Sequence, residues 1–472
     1  MRTNTAMTNQ NKTHEGAKAS MINPEQQLRR SVMSCLLWER EFYEDGVLIA
    51  DRIKNLVHVV SQEKLEEIVI EAKEKMRLRH VPLWLCVCMA KEHKLRHSIL
   101  TRIIMRVDEI SEFLSMYWKD GKCPIANQVK KGLANAFNKF DEYQFAKWNR
   151  YATIKVKDVL FLVHAKPKDK TISYINPAKK INTPTYKRGK ALRHAGCLFQ
   201  KIVEGTLKTP DTWEVALSGG ADKKQTWERL IADKKLGALA FLRNLRNMSE
   251  SGLSKEIIEG GLYQINTSKV LPFRFITAAK HNPKIESRIE EVLLKRLQQQ
   301  EKLSGKTIFV VDVSGSMYGA AVSGKSELDR ANVACSLAII LRELSEEVSI
   351  YATAGNDRNR IHSTAIVPDR HGFALADYIY NQCQPLGGGG IFLKQVMDYI
   401  YDREKSADRI IVITDEQDCD NVNSPDKANA FGKRNYIINI ASNKNGIAYS
   451  KFIHIDGWSE AVIDYIIEYE KA

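Results

Sequence analysis

Four residues near the middle and end of the chain have the types and spacing to hold a cation. Asp312, Ser314 and Ser316 form a DxSxS run, and Asp415 stands about a hundred residues later. Two carboxylates and two hydroxyls form an all-oxygen donor set. A hard divalent cation that favours near-octahedral oxygen coordination, Mg²⁺ above all, needs such a set. Gly315 within the run permits the tight turn that would aim both serines at one point.

These residues need elements to place them. Thr307–Met317 reads TIFVVDVSGSM, and five of its first six residues are β-branched or aromatic. Such a run predicts a parallel strand buried on both faces, with Asp312 at its carboxyl end. Ile411–Glu416 (IVITDE) repeats the pattern and ends on Asp415. Ligand sites of open α/β sheets lie at the carboxyl ends of strands. The spacing predicts strands over 308–312, 348–352, 409–414, 436–440 and 452–455. Helices are expected over 327–344, 374–383, 392–401, 426–431 and 460–469. Alternation of this kind predicts a mostly parallel, doubly wound sheet.

Upstream of residue 300 the periodicity is helical throughout. Apolar residues recur at helical spacing over 31–38, 46–60, 64–75, 81–91, 97–107, 110–117 and 128–139, and again in six segments between 191 and 299. Helices of this density predict an α-solenoid of helix pairs. Residues 1–20 are polar and are expected to form a disordered tail.

Charge divides the chain. The formal net charge is +14, yet residues 301–472 carry 18 Lys+Arg against 24 Asp+Glu, a net of −6. Residues 1–300 carry 53 against 33, a net of +20. This asymmetry points to a polyanionic partner for the first part. No apolar run is long enough to span a bilayer. The eight cysteines are scattered, mostly in apolar runs, which is a reduced, cytoplasmic pattern without a zinc site.

Basic and aromatic residues interleave between 130 and 164. Lys130, Lys131, Lys139, Lys147, Arg150, Lys155 and His164 alternate with Phe137, Phe140, Tyr143, Phe145, Trp148 and Tyr151. Cations neutralise phosphates and exposed rings stack on unpaired bases. A solvated helix face over an aromatic core has the same composition. A lysine-rich, proline-punctuated stretch, 166–190, follows.

One further motif competes with the first. Gly319–Ser326 (GAAVSGKS) matches the phosphate-binding pattern GxxxxGKS, with Lys325 as its lysine. In a P-loop ATPase the glycine-rich turn follows its strand directly. Here DVSGSMY intervenes, so an exposed surface loop is expected instead. The 11 histidines are dispersed, and no nucleophile–base pair stands out. A non-enzymatic binding protein follows. The alternatives are a P-loop ATPase with a helical adaptor, or a protein-binding scaffold that grips a partner's carboxylate through the metal site.

Several segments in order resemble the TROVE module of the Ro autoantigen family, of bacterial or phage type. They are VKKGLANAFNKF from Val129, YQFAKW from Tyr143, IKVKDVLFLVHAKP from Ile154, LGALAFLRNLRNM from Leu236 and VLPFRFITA from Val270. The resemblance implies a ring of HEAT-like helical repeats over 21–300, joined to a Rossmann-like von Willebrand factor A domain over 301–472. It implies a monomer that binds structured non-coding RNA, such as Y RNA, on a basic outer face and single-stranded RNA 3′ ends in a central hole. Partners would include a nuclease or an RNA ligase, and the role would be RNA quality control or processing in a ribonucleoprotein. On this basis Lys130, Lys131, Lys139, Lys147, Arg150, Lys155 and His164 fall in the RNA-contacting region. The sequence departs from the family at one place. Where a von Willebrand A metal site takes a threonine after a glycine pair, this chain has Gly387–Gly390 and no hydroxyl.

Overall fold

The computed structural model describes residues 12–13, 17–19, 22–33, 46–148, 153–167, 198–267, 270, 273–319, 328–404, 406–427, 429–431, 434–441 and 446–457, with a few positions beyond. They fall into two compact units. One comprises Ile53–Glu74 and Leu78–Val215; the other comprises Met1–Arg52, Lys75–Arg77 and Ala216–Ala472.

The chain opens with α1 (Pro24–Met33) and α2 (Gly46–Val59). The helical unit then continues through α3 (Gln62–Ile70), α4 (His80–Lys91), α5 (His97–Ile103), α6 (Val107–Tyr117), α7 (Asn127–Phe137), α8 (Glu142–Trp148), α9 (Val156–Leu162) and α10 (Leu198–Glu204). Helix α4 is buried from Val81 through Ala90. Helix α5 lies directly on α7. A methyl at Gly132 would come within 2.9 Å of the Leu100 side chain, and Thr101 Oγ1 donates to Gly132 O at 3.0 Å.

An internal repeat, not visible in the residue types, emerges from the hydrogen bonds. Lys94 Nζ donates to the carbonyls of Val57, His58 and Val60 at 2.8–2.9 Å, at the end of α2. Lys139 Nζ donates to those of Thr101, Arg102 and Ile104 at 2.7, 3.0 and 2.6 Å, at the end of α5. Each carbonyl of the second set follows its counterpart by 44 residues. That period lies within the span of about 40–47 residues typical of HEAT and armadillo units. The physical device is the same both times: an ammonium satisfies carbonyls that the helix end leaves open and sits at the negative end of its dipole.

The second unit adds α11 (Trp213–Ser218), which begins in the first, then α12 (Lys223–Ala232), α13 (Ala238–Glu250), α14 (Lys255–Gln264), α15 (Phe273–His281) and α16 (Glu286–Gln298). A six-stranded sheet follows: β1 (Leu303–Asp312), β2 (Ser345–Asn356), β3 (Ile361–Ile366), β4 (Arg409–Thr414), β5 (Asn435–Asn439) and β6 (Ile453–Asp456). Its order is β3-β2-β1-β4-β5-β6. All pairings are parallel except β2–β3. Helices α17 (Arg330–Glu343), α18 (Gly372–Tyr380) and α19 (Leu393–Arg403) complete the α/β layer. Ile308, Val310, Ile410 and Val412 form one core with Val396, Met397 and Ile400 of α19. Phe309 and Val311, on the other face of β1, are equally buried. Both faces are covered, which is why these strands read as unbroken apolar runs.

Some expectations change. The antiparallel edge strand β3 was not expected; IHSTAI mixes polar and apolar residues and is half-exposed along most of its length. The helix expected over 426–431 is only a turn of 3₁₀ at Pro425–Lys427. Helix α16, which precedes residue 300, is tied into the α/β layer, with Glu290 Oε1 accepting from Phe373 N at 2.6 Å. Near the N-terminus Thr13 is buried, and its hydroxyl donates to Asp418 O at 2.9 Å; composition does not register a contact with a residue so distant in sequence. The Gly319–Ser326 motif beyond Gly319, and residues 168–197, lie outside the described residues.

Candidate functional site

The chain reverses its direction of winding between β1 and β4, which are neighbours in the sheet. That reversal opens a crevice at their carboxyl ends. Asp312 is the last residue of β1 and Asp415 the first after β4. Both are fully buried. Asp312 Oδ1 accepts from Ser314 N at 2.8 Å, and its Oδ2 accepts from Thr414 Oγ1 at 2.6 Å. The hydroxyls of Ser314 and Ser316 lie 3.2 Å apart. Burial, and then the neighbouring Asp415, push the Asp312 carboxyl up to about 7, against the hydrogen bonds from Ser314 and Thr414. Arg330 Nη1, from the start of α17, lies 3.7 Å from Asp415 Oδ2.

The donor chemistry therefore fits a hard cation, and each bonded carboxylate oxygen of Asp312 keeps a second lone pair. Among the described residues, however, no three His, Cys, Asp or Glu side chains cluster closely enough to hold a metal without hydroxyl ligands. Sequence reasoning missed Thr414 and Arg330. Thr414 had a signal, being the residue just before Asp415; Arg330 had none.

The glycine run has a steric cause. Gly389 N donates to Gly355 O at 3.0 Å, and Gly315 N donates to Gly389 O at 3.2 Å. The loop is thus held between the end of β2 and the DxSxS turn. A Cβ on Gly387 would sit 2.6 Å from Gly355 O, and one on Gly389 2.7 Å from the same atom. A Cβ on Gly390 would collide with Cys419 Sγ. A threonine cannot occupy these positions while the backbone keeps this path.

The basic residues of the helical unit divide by what they touch. Lys131 and Lys155 are exposed, Lys130 is half-buried and Arg150 lies outside the described residues. His164 is exposed just past α9, with a positive φ of 53°. Lys147 Nζ lies 5.7 Å from the Tyr143 ring centre and 5.3 Å from that of Trp148. Lys139 differs. Its three N–H donors meet three α5 carbonyls, which leaves none for a phosphate. The aromatics divide too. Phe137, Phe140 and Phe145 are buried and pack on one another at 6.0 Å between ring centres. Tyr143 is exposed, while Trp148 is covered by the Arg106 guanidinium at 3.7 Å.

Comparison with known proteins bears on the whole chain. The TROVE domain family matches residues 204–367. The fold is similar to that of the Deinococcus radiodurans RO (RSR) protein, with a TM-score of 0.56 and 13% identity over 94% of this chain and 98% of that one. The chain is thus similar to the TROVE family over residues 204–367 and has a fold similar to that of a Ro protein. Telomerase protein component 1 of Mus musculus is 36% identical over 89 residues, and that of Rattus norvegicus 34% over 89. The aligned stretch is 18% of this chain and only 3% of either relative. The TROVE match contains the Leu236–Met248 and Val270–Ala278 segments and runs on through β1, β2 and β3.

Proposed function

We propose that the chain is a non-enzymatic RNA-binding protein of a ribonucleoprotein, taking structured small RNAs of the Y-RNA kind and single-stranded 3′ ends. The observation that carries this reading is the TROVE match within a Ro-like fold. The net of +20 on residues 1–300 supports it, since a polyanion must be neutralised somewhere. In this reading the helical unit is a HEAT-like solenoid closed into a ring, and the 44-residue recurrence of lysine-capped helix ends supports the repeat. Lys130, Lys131, Lys147, Arg150, Lys155 and His164 contact RNA; Lys139 holds the scaffold.

The α/β layer, read as a von Willebrand factor A domain, would hold Mg²⁺ through Asp312, Ser314, Ser316 and Asp415. The ion would supply a positive charge able to grip a partner's carboxylate. The role is RNA quality control or processing in the cytoplasm, as a monomer, with a nuclease or RNA ligase as partner. Purification without nuclease treatment, followed by sequencing of co-purified RNA, tests the reading. Discrete small structured RNAs are expected; recovery of protein free of nucleic acid, with no RNA binding on titration at low salt, would refute it.

A further inference from the structure

The crevice at the carboxyl ends of β1 and β4 is closed to solvent, and the start of the chain lies on its rim. The six residues after β4, Asp415 to Asp420, carry four carboxylates. All six are buried, as are Asp312 and Ser314. Burying a carboxylate is costly unless it finds partners. Asp415 has Arg330 and the amide of Gln417, and Glu416 has Arg30 and His454. Asp420 accepts from Gln395, Val422 and Asn423. Asp418 is less well satisfied. Its Oδ1 accepts from Leu393 N at 2.8 Å, while its Oδ2 has no hydrogen-bond partner among the described residues.

Residues 12–13 and 17–19 are seated on this loop. Thr13 Oγ1 donates to Asp418 O at 2.9 Å and accepts from Ala17 N at 3.0 Å. Thr13 N donates to Ala17 O at 2.9 Å, and Lys12 and Lys18 form an antiparallel bridge. Thr13, Ala17 and Ala19 are buried, while Lys12 and Lys18 are exposed. A short relay of contacts joins this segment to the DxSxS turn. Cys419, next to Asp418, lies where a Cβ on Gly390 would be, and Gly389 O accepts from Gly315 N. Charge is complementary as well, since residues 1–20 hold Arg2, Lys12 and Lys18 against Glu15.

The two parts of the N-terminal region are held differently. Helix α1 is fixed by the buried contact of Arg30 with Glu416, and a Cβ on Gly457 would collide with Met33 O. The described residues before α1 bury only one threonine and two alanines. Seated there, they close off a loop that holds an unsatisfied carboxylate oxygen. Water reaching Asp418 Oδ2 would relieve that cost, so the contact is releasable while α1 stays in place.

We propose that the segment anchored by Thr13 and Ala17 is an autoinhibitory strap, which closes the Asp312–Asp415 crevice while seated and opens it on lifting. The proposal rests on the reading of that crevice as a cation site and adds its regulation. A partner's carboxylate would reach a cation held there only with the strap lifted.

The test uses the full-length chain and two variants, T13V and A17E. T13V keeps the side-chain volume and removes both hydrogen bonds of the hydroxyl. A17E sets a carboxylate in place of a buried methyl beside an acidic loop, which should expel the segment. Melting temperatures confirm folding. Cys419 is buried on the rim and reports opening through its alkylation by N-ethylmaleimide, read peptide by peptide by mass spectrometry. Its rate should rise about threefold or more in T13V and about tenfold or more in A17E, with the buried Cys86 and Cys335 unchanged. Mn²⁺ affinity, measured by calorimetry, should rise by the same factor, because both quantities scale with the open fraction. If Mn²⁺ binds A17E and the wild type equally, the strap does not gate the crevice and the proposal falls, while the cation site stands. Faster alkylation of Cys86 and Cys335 together with Cys419 would mark general loosening and overturn the proposal too. If neither the wild type nor the variants bind Mn²⁺, the cation reading falls and the proposal with it.

Discussion

Arg30, on the first helix, and Glu416, just past the fourth strand, form a buried ion pair with Arg30 Nη1 2.6 Å from Glu416 Oε2. Both side chains are shielded from solvent. Around them, His454 Nδ1 lies 2.9 Å from the other Glu416 oxygen, and Asp456 Oδ1 lies 3.5 Å from Arg30 Nη1. The Tyr449 ring stacks flat on His454 with centres 3.6 Å apart. Glu416 carries a positive φ of 58°, a strained setting for a non-glycine residue. Burial opposes ionisation of both partners, yet Glu416 holds Arg30 above its usual range, and Arg30 with His454 holds Glu416 below the usual carboxylate range. This network clamps α1 onto the sheet's carboxyl end.

R30A leaves a carboxylate buried without its guanidinium. A loss of about 3–5 kcal/mol is expected, as for other buried pairs broken on one side. Urea unfolding followed by circular dichroism would measure it. A loss under 1 kcal/mol would show that the clamp is not structural.

The same pair sets an acid limit. The folded-state value of Glu416 is depressed, so its contribution is complete above the unfolded value of about 4.3. It is lost as pH falls through the lower folded value. E416Q should be less stable than the wild type at neutral pH, and the gap should close as pH falls below about 4. Melting temperatures from pH 7 to pH 3 test this; a gap that widens on acidification contradicts it.

Asp312 gives the opposite sign. Its value is raised to about 7 by burial and by Asp415, so the folded state holds its proton more tightly than the unfolded one. The resulting loss of stability builds as pH rises above the unfolded value of about 3.9 and is complete above about 7. Without added metal, D312N should therefore melt higher than the wild type at pH 8. With millimolar Mg²⁺ the order should reverse, and calorimetric titration should show heat for the wild type only. Absence of heat in the wild type at millimolar Mg²⁺ would remove the metal from the proposed site.

Lys139 separates scaffold from RNA contact. Burial lowers the pKa of its ammonium, and removing it strands three carbonyls at the end of α5. K139A should cost about 1–2 kcal/mol of stability and leave the salt slope of RNA binding unchanged. K94A, at the equivalent position one repeat earlier, should behave alike. A flattened slope in K139A with no loss of stability would return Lys139 to the RNA surface.

Gly390 tests the cause of the missing hydroxyl. G390A places a methyl against Cys419 Sγ and should destabilise by about 1–3 kcal/mol, as overpacking does. C419A in the same chain should restore most of that. Additivity of the two changes would mean that the glycine run answers to something other than Cys419.

The residue order alone determined the strands that carry the crevice. Thr307–Asp312 and Arg409–Thr414 are apolar on both faces because helices cover both, and each run stops at the aspartate that reaches the crevice. Local periodicity suffices there, since burial on two faces leaves its mark on every residue of the strand. It also sufficed for α4 and α5. It did not reveal β3, whose half-exposed residues follow neither period cleanly. Nor did it distinguish Lys139 from Lys131. Both are lysines on a basic, aromatic stretch, and only the arrival of the α5 carbonyls decides that one ammonium is consumed by the scaffold. The same holds for Phe137 against Tyr143, one in the core and one in solvent. Arg30 and Glu416 are 386 residues apart, and nothing within one turn of helix or strand encodes their meeting. Periodicity records which face of an element is buried. Which element buries it, and which charge is waiting there, is fixed only when the chain closes on itself.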